Sequence, residues 1–173
     1  MYDVIIIGAG PAGVSASLYT SRANLRTLIF YQEESALEKT NHIANYYGFE
    51  DGISGEQLYK TGIKQARKVG VEVKREEVTN IEMLEKEFKI ITENKEYKTK
   101  TVILATGNKK SKPNIKGIED FEGRGISYCA VCDGFFYKNR NIAIIGNGNY
   151  AISEVNELIH IANNITILTN GKK

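Results

Sequence analysis

The sequence predicts an α/β fold: a mainly parallel sheet with packed helices and a small β-meander, followed by the start of a second sheet of the same kind. Three observations carry this. The runs Val4-Ile5-Ile6-Ile7 and Ile142-Ala143-Ile144-Ile145 are short, β-branched and apolar, and each stops at a glycine. Each is followed by a spaced small-residue turn, Gly8-x-Gly10-x-x-Gly13 and Gly146-x-Gly148-x-x-Ala151, and then by a helical stretch. A third run, Thr101-Val102-Ile103-Leu104, stops at Ala105-Thr106-Gly107. Strands buried on both faces of a parallel sheet read as continuous apolar runs rather than alternating ones.

Taken in order, Tyr2 to Ile7 is the first strand and Val14 to Ala23 the first helix. In a dinucleotide-binding turn the first glycine permits the tight bend and the second lets the backbone approach a pyrophosphate. The third lets the helix pack on the strand, and the helix N-terminus attracts the phosphate charge. Arg26 to Phe30 is the second strand, and Glu33, 20 residues after Gly13, stands where a carboxylate would meet a ribose hydroxyl. Strand, turn, helix, strand and acid in register make this a Rossmann-like unit.

Residues 35–53 form a polar connection spotted with Tyr46, Tyr47 and Phe49. Ser54, with Gln57 three residues on, caps a helix from Gly55 to Lys68. Val69 to Ile81 alternates as a strand. Phe88–Thr92 and Glu96–Thr99 form a hairpin turning at Asn94-Lys95, and Thr101 to Gly107 is a separate buried strand. A polar linker at 108–117 divides residues 1–112 from 113–173. Beyond it come a loop at 117–127, a strand at 141–145, a helix from Gly148 to Ile161 and a strand at 164–169. No acidic residue stands about 20 positions after Ala151, where NAD ribose recognition would want one. Lys172 and Lys173 suit a 2′-phosphate or form a solvated charged stretch.

The only two cysteines lie in Cys129-Ala130-Val131-Cys132-Asp133-Gly134, just before the second glycine turn. A Cys-x-x-Cys pair switches between dithiol and disulfide, becoming reactive when a cation or helix N-terminus favours the thiolate. Asp133 stands where it could move a proton during exchange. A metal site needs four ligands, and this pair supplies two. With no second pair and two distant histidines, no metal is assigned. His42 and His160 read as ordinary loop and helix residues. A dithiol between two nucleotide turns suggests electrons passing among a nicotinamide, a flavin and a disulfide.

The net charge is +2, from 23 basic and 21 acidic residues, which points to neither nucleic acid nor a membrane surface as partner. No apolar run reaches the ~18–20 residues of a membrane span. The N-terminus enters a strand at once, so a cytoplasmic protein is expected, where an isolated pair of cysteines reads as redox-active rather than as a structural staple.

Gly8-Ala9-Gly10-Pro11-Ala12-Gly13, Ala105-Thr106-Gly107, Gly123-Arg124-Gly125, Cys129 to Tyr137 and Gly146-x-Gly148-x-x-Ala151 occur in one order over essentially the whole chain. In that order they resemble the low-molecular-weight, bacterial-type thioredoxin reductases. The resemblance implies FAD held by Gly8, Gly10, Ala12 and Gly13, with Glu33 at the adenosine ribose and contacts from Asn45, Val78, Ala105, Thr106 and Gly107. It implies NADPH or NADH at Gly146, Gly148 and Ala151, thioredoxin or a similar protein as substrate, and a homodimer. Cys132 would exchange electrons with the flavin, Cys129 would attack the substrate disulfide, and Asp133 would protonate the leaving thiolate. The two domains of the family rotate to show the dithiol to each in turn.

Three departures stand out. Glu34-Ser35-Ala36-Leu37 replaces the family's Gly-Gly-Gln-Leu run, and Thr169-Asn170-Gly171-Lys172-Lys173 replaces its His-Arg-Arg cluster. The second leaves a ferredoxin-linked reductase as an alternative donor class. Family chains also run on for roughly as long again, which makes a partial chain with weak flavin retention, or a silent nucleotide-binding module, the remaining expectations.

Overall fold

The structure, a computed structural model, describes residues 1–32, 35–108, 113–122, 124–169 and 171, with the backbone alone at Lys39. The chain divides into two compact units, Met1–Asn108 and Lys109–Lys173.

The first unit is built on a six-stranded sheet. Its strands are β1 (Tyr2–Ile7), β2 (Thr27–Tyr31), β3 (Glu72–Arg75), β4 (Val78–Met83), β5 (Phe88–Thr92) and β6 (Glu96–Leu104), in the spatial order β3-β2-β1-β6-β5-β4. β3, β2, β1 and β6 run parallel; β5 and β4 are antiparallel additions. Helix α1 (Pro11–Arg22) connects β1 to β2, and α2 (Gly55–Lys68) precedes β3.

The β-branched runs form the core because a parallel strand is covered on both faces. Val4, Ile6 and Ile29 pack with Val14, Ala66 and Val71, on the side where α1 and α2 lie. Tyr2, Ile5, Leu28 and Phe30 pack with Ile90 and Tyr97 of the meander. Ile5, Ile6, Leu28, Ile29 and Phe30 are wholly buried, and each such side chain contributes about 1.5–3 kcal/mol.

The helix expected to start at Ser54 does so: its hydroxyl accepts from the Gln57 N–H, and the helix ends at Lys68. The turn at Asn94-Lys95 is closed by Thr92, whose N–H donates to the Lys95 carbonyl at 3.0 Å. The Thr92 hydroxyl oxygen accepts from both the Asn94 and Lys95 N–H groups.

Several expectations change. The single strand expected over Val69–Ile81 is two strands at opposite edges of the sheet, β3 beside β2 and β4 beside β5. The chain passes from one edge strand to the other through Glu76-Glu77, whose carboxylates are bonded to other elements. Glu76 accepts from Tyr97 and Thr92, and Glu77 from Gln32. Val69 itself ends α2.

Conversely, the hairpin arm and the strand expected from Thr101 are one nine-residue strand, β6. Its first half pairs antiparallel with β5, its second half parallel with β1, and Thr99 pairs with both Phe88 and Tyr2. Lys100 at the changeover points outward to an ion pair with Asp3 at 2.8 Å, a polar residue that needs no break. Nor is the end of β6 fully buried, since Leu104 is 67% exposed. In the connection over 35–53, Ser35 and Glu38 form a reciprocal capping box on a 3-10 turn, Ala36–Lys39.

The second unit is smaller. A 3-10 turn at Ile118–Phe121 interrupts the expected loop. Helix α3 (Ala130–Asp133) runs into a further 3-10 turn, Gly134–Tyr137, and then β7 (Asn141–Ile145), α4 (Asn149–Leu158) and β8 (Asn164–Leu168) complete one βαβ unit. β7 and β8 are parallel. Here β7 is not the doubly buried strand that its composition suggests: Ile145 of β7, and Ile167 and Leu168 of β8, are exposed. α4 stops at Leu158, short of Ile161, where the Ile161 and Ala162 N–H groups both turn onto the Leu158 carbonyl.

Candidate functional site

In the first unit, the candidate cofactor residues gather where β1 and β6 end. The order β3-β2-β1-β6 places a topological switch between β1 and β6, because the chain leaves β1 toward β2 on one side and returns through β6 on the other. Ligands of open parallel sheets bind in the crevice outside the carboxyl ends of the strands at such a point. Gly8 follows β1, with φ at +112°, and its N–H donates to the Phe30 carbonyl at 2.7 Å. The Ala105 N–H donates to the Ile7 carbonyl at 2.8 Å. A β-carbon on Gly8 would stand 2.1 Å from the Ala105 carbonyl oxygen and 3.0 Å from the Thr106 nitrogen. Two motifs nearly a hundred residues apart in sequence thus form one backbone junction, and Gly107 turns the chain away with φ at +73°.

The glycines of the turn do different work. On Gly13 a β-carbon would fall 1.9 Å from the Gly8 carbonyl oxygen, so the helix can approach the turn only without a side chain there. Above Gly10 the nearest atom to such a carbon is the Ser35 hydroxyl, 3.7 Å away, so that space is open. Gly10 caps α1 without a side-chain bond, Pro11 opens the helix, and no acidic residue lies in its first turn. This helix N-terminus keeps its partial positive charge for an anion. An open backbone cradle before an uncapped helix fits a pyrophosphate-bearing cofactor.

The other flavin candidates are placed separately. Asn45 is exposed in the connection between Thr40 and Ser54. Val78 opens β4 and packs into the core cluster that holds Phe30 and Tyr97. Glu33 lies outside the described residues, as do Gly123, Lys172 and Lys173. His42 has a packing role, its ring lying over Gly52, where a β-carbon would meet it at 2.4 Å.

In the second unit, Cys129 and Cys132 are joined as a disulfide. Cys129 is the N-cap of α3, and the Cys132 N–H donates to its sulfur at 3.2 Å. A backbone N–H bonded to sulfur in this way is a donor suited to a thiolate. Asp133 is held close by. The Ser127 hydroxyl donates to Asp133 Oδ2 at 2.5 Å while accepting from the Cys129 N–H at 3.1 Å, tying the carboxylate to the backbone of the first cysteine. Burial, then the charge of Asp133, raises the Tyr137 phenol above its ordinary range. Gly134 lets this loop lie on α4: a β-carbon there would meet Leu158 Cδ2 at 3.0 Å.

Around the pair, Val131, Phe135 and Phe136 are exposed. Ala130, Val131, Gly134, Phe135, Lys138 and Ile161 border a shallow apolar depression.

The second glycine turn repeats the first in outline. Gly146 donates to the Leu168 carbonyl and closes against Ala151, whose β-carbon would be 2.9 Å from one on Gly146. Gly148, with open space above it, caps α4 without a side-chain bond, and no acidic residue stands in the first turn.

Two residues absent from the sequence reading belong to this site. Ser127 stands two positions before the first cysteine, a spacing that could have been noticed. Glu154 carries no local signal: it reaches the loop from α4 and accepts from the Ala130 N–H at 2.7 Å.

The chain is similar along its length to several known proteins. A thioredoxin reductase from Aquifex aeolicus is 41% identical over 176 aligned residues, taking in 100% of this chain and 54% of that protein. One from Bacillus subtilis is 40% identical, again over 100% of this chain and 55% of its own length. The crystal structure of thioredoxin reductase from Streptococcus pyogenes matches with a TM-score of 0.87 and 38% identity, over 96% of this chain and 55% of that one. The thioredoxin reductase from Giardia duodenalis matches at 0.89 with 32% identity, over 96% and 55%. The chain spans about half the length of the curated relatives it matches. The sequence pattern of a whole family matches over residues 2–173, and the chain belongs to it: the pyridine nucleotide-disulphide oxidoreductases.

Proposed function

We propose that the protein takes part in FAD-dependent reduction of the disulfide of thioredoxin or a similar small protein, through the Cys129/Cys132 pair, with electrons from NADPH or NADH. In this reading residues 1–112 belong to the flavin domain and 113–173 to a pyridine-nucleotide domain that carries the dithiol. The observation that carries the reading is the disulfide at the start of α3, with Asp133 anchored beside it by Ser127. The same chain holds an open glycine cradle at the switch point of a parallel sheet.

Gly8, Gly10, Ala12 and Gly13, with Ala105, Thr106 and Gly107, would hold FAD, and Gly146, Gly148 and Ala151 the nicotinamide nucleotide. Bound FAD would supply the electron pair that opens the Cys129–Cys132 disulfide. The steps that follow belong to this chain. The Cys129 thiolate attacks one sulfur of the substrate disulfide, forming a mixed disulfide, and the leaving sulfur takes a proton from Asp133. Cys132 then gives its proton to the Asp133 carboxylate and attacks Cys129 Sγ. The second substrate sulfur leaves and is protonated from solvent. Two electrons pass to the substrate, and the protein returns to its disulfide form. A soluble, cytoplasmic homodimer is the setting we propose; among the described residues no helix is long and apolar enough to cross a membrane.

The test is reduction of thioredoxin by the purified protein, with NADPH, NADH and reduced ferredoxin offered separately and bound flavin read from visible absorbance. Turnover with a pyridine nucleotide supports the proposal; turnover with ferredoxin alone moves the donor. No flavin and no turnover with any donor overturns it for this chain.

A further inference from the structure

Helix α4 begins at the second glycine turn, yet its most pointed contacts are with the dithiol loop. Glu154 Oε2 accepts from the Ala130 N–H at 2.7 Å. One turn earlier, the Tyr150 hydroxyl donates to the Tyr128 carbonyl oxygen at 3.5 Å. The residues on either side of Cys129 are therefore both held by one face of α4. Desolvation, then the Glu154 charge, holds the Tyr150 phenol above its ordinary range, so the field of that carboxylate is felt locally.

The location of this charge matters. Ala130 is the first residue of α3, and Cys129 its N-cap, with the Cys132 N–H aimed at the Cys129 sulfur. Backbone N–H groups near the Cys129 sulfur, that of Cys132 bonded directly to it, are the donors that would favour a thiolate there. An anion bonded to one of them works against a second anion one residue away. Other groups around the loop are Asp133 on α3, Tyr137 and Lys138 just after it, Glu157 near the end of α4 and His160 just beyond that helix. Among these, only Glu154 has a carboxylate bonded directly to the opening N–H of α3.

We infer that Glu154 is a positioning residue that restrains the reactivity of the dithiol: it fixes the loop through the Ala130 N–H and opposes thiolate formation on Cys129. This rests on the reading of Cys129 and Cys132 as a redox pair. The restraint favours the disulfide over the dithiol, so it makes the reduced pair a stronger reductant.

The test is the pH profile of alkylation of Cys129 by iodoacetamide in the reduced full chain, followed by mass spectrometry from about pH 5 to 10, across the range of thiol ionisation. Glu154→Gln keeps an oxygen to accept from Ala130 and removes the charge. Glu154→Asp keeps the charge on a shorter side chain. In E154Q the profile should move to lower pH, with about threefold faster alkylation near neutrality. The same variant should hold a larger dithiol fraction in a given glutathione buffer, while E154D stays closer to the parent. An unmoved E154Q profile overturns the inference, and so does an E154D profile that moves as far as that of E154Q, since packing alone would then explain both. A Cys129–Cys132 pair that neither oxidises to a disulfide nor alkylates after reduction would instead sink the redox reading beneath it.

Discussion

The carbonyl oxygen of Ala105 lies 2.1 Å from the point where a β-carbon on Gly8 would stand. The two residues end adjacent parallel strands, β1 and β6, and their contact closes the floor of the proposed flavin cradle. Gly8→Ala must both relax this overlap and hold alanine at a φ of +112°. We expect a stability loss of about 3 kcal/mol or more, seen as a lower thermal midpoint together with loss of bound flavin.

Gly10 makes the contrasting case. Its φ of −69° suits any residue, and the space above it is open. Gly10→Ala should therefore leave stability within about 1 kcal/mol of the parent while weakening flavin binding by roughly tenfold or more, since the added methyl occupies the path of the pyrophosphate. Equal flavin affinity in the two proteins, read by fluorescence titration, would remove this turn from the cofactor site.

At the dithiol, Cys132→Ser should stop steady-state reduction of a disulfide substrate while leaving Cys129 able to trap it as a mixed disulfide, detectable on a non-reducing gel. Asp133→Asn should lower turnover by about 10²–10⁴-fold, the range for loss of a positioned acid. Ser127→Ala unties Asp133 from the Cys129 backbone. It should cost turnover less than Asp133→Asn does, and Ser127→Thr should restore it. Full activity in Asp133→Asn would show that solvent supplies the proton.

Tyr97 gives a pH prediction in the first unit. Burial, then its hydrogen bonds to Glu76, raises its phenol pKa well above the ordinary value. A raised folded-state value means stability that is fully present below about pH 10 and lost as the pH rises past it. Chemical denaturation at about pH 8 and 11 should show a steep alkaline loss in the parent and a shallower one in Tyr97→Phe. At the lower pH that variant gives up about 1 kcal/mol for its lost hydrogen bonds. Parallel losses in both proteins would place the alkaline weakness elsewhere.

Much of this was legible in the chain because it is local. A β-branched run ending at a glycine reads as a strand from its own residues, as Tyr2–Ile7 and Asn141–Ile145 both prove to be, although only the first is buried on both faces. Ser54 and Gln57 mark the start of α2 for the same kind of reason. Cys-x-x-Cys followed by an acid declares its chemistry without any neighbour. The errors lie where partners decide. Alternation over Val69–Ile81 could not reveal that Glu76 and Glu77 stand between two strands, β3 and β4, at opposite edges of the sheet. Nothing at Lys100 distinguished the end of a hairpin from the middle of a strand that pairs with β5 below and β1 above. Ala105 and Gly8 could each be named as flavin candidates, but not as one junction.

By itself, then, the sequence determined the two glycine turns, the dithiol and its acid, and the α/β class, all set by interactions within a few residues. Only the tertiary structure decided the sheet order that brings Ala105 onto Gly8, the serine that ties Asp133 to Cys129, and the Glu154 carboxylate that α4 delivers to the start of α3. The first and last of these join segments far apart in the chain, through the packing of strands and helices that no local spacing encodes; the serine lies within six residues of both its partners, and only the fold of the loop shows which groups its hydroxyl meets.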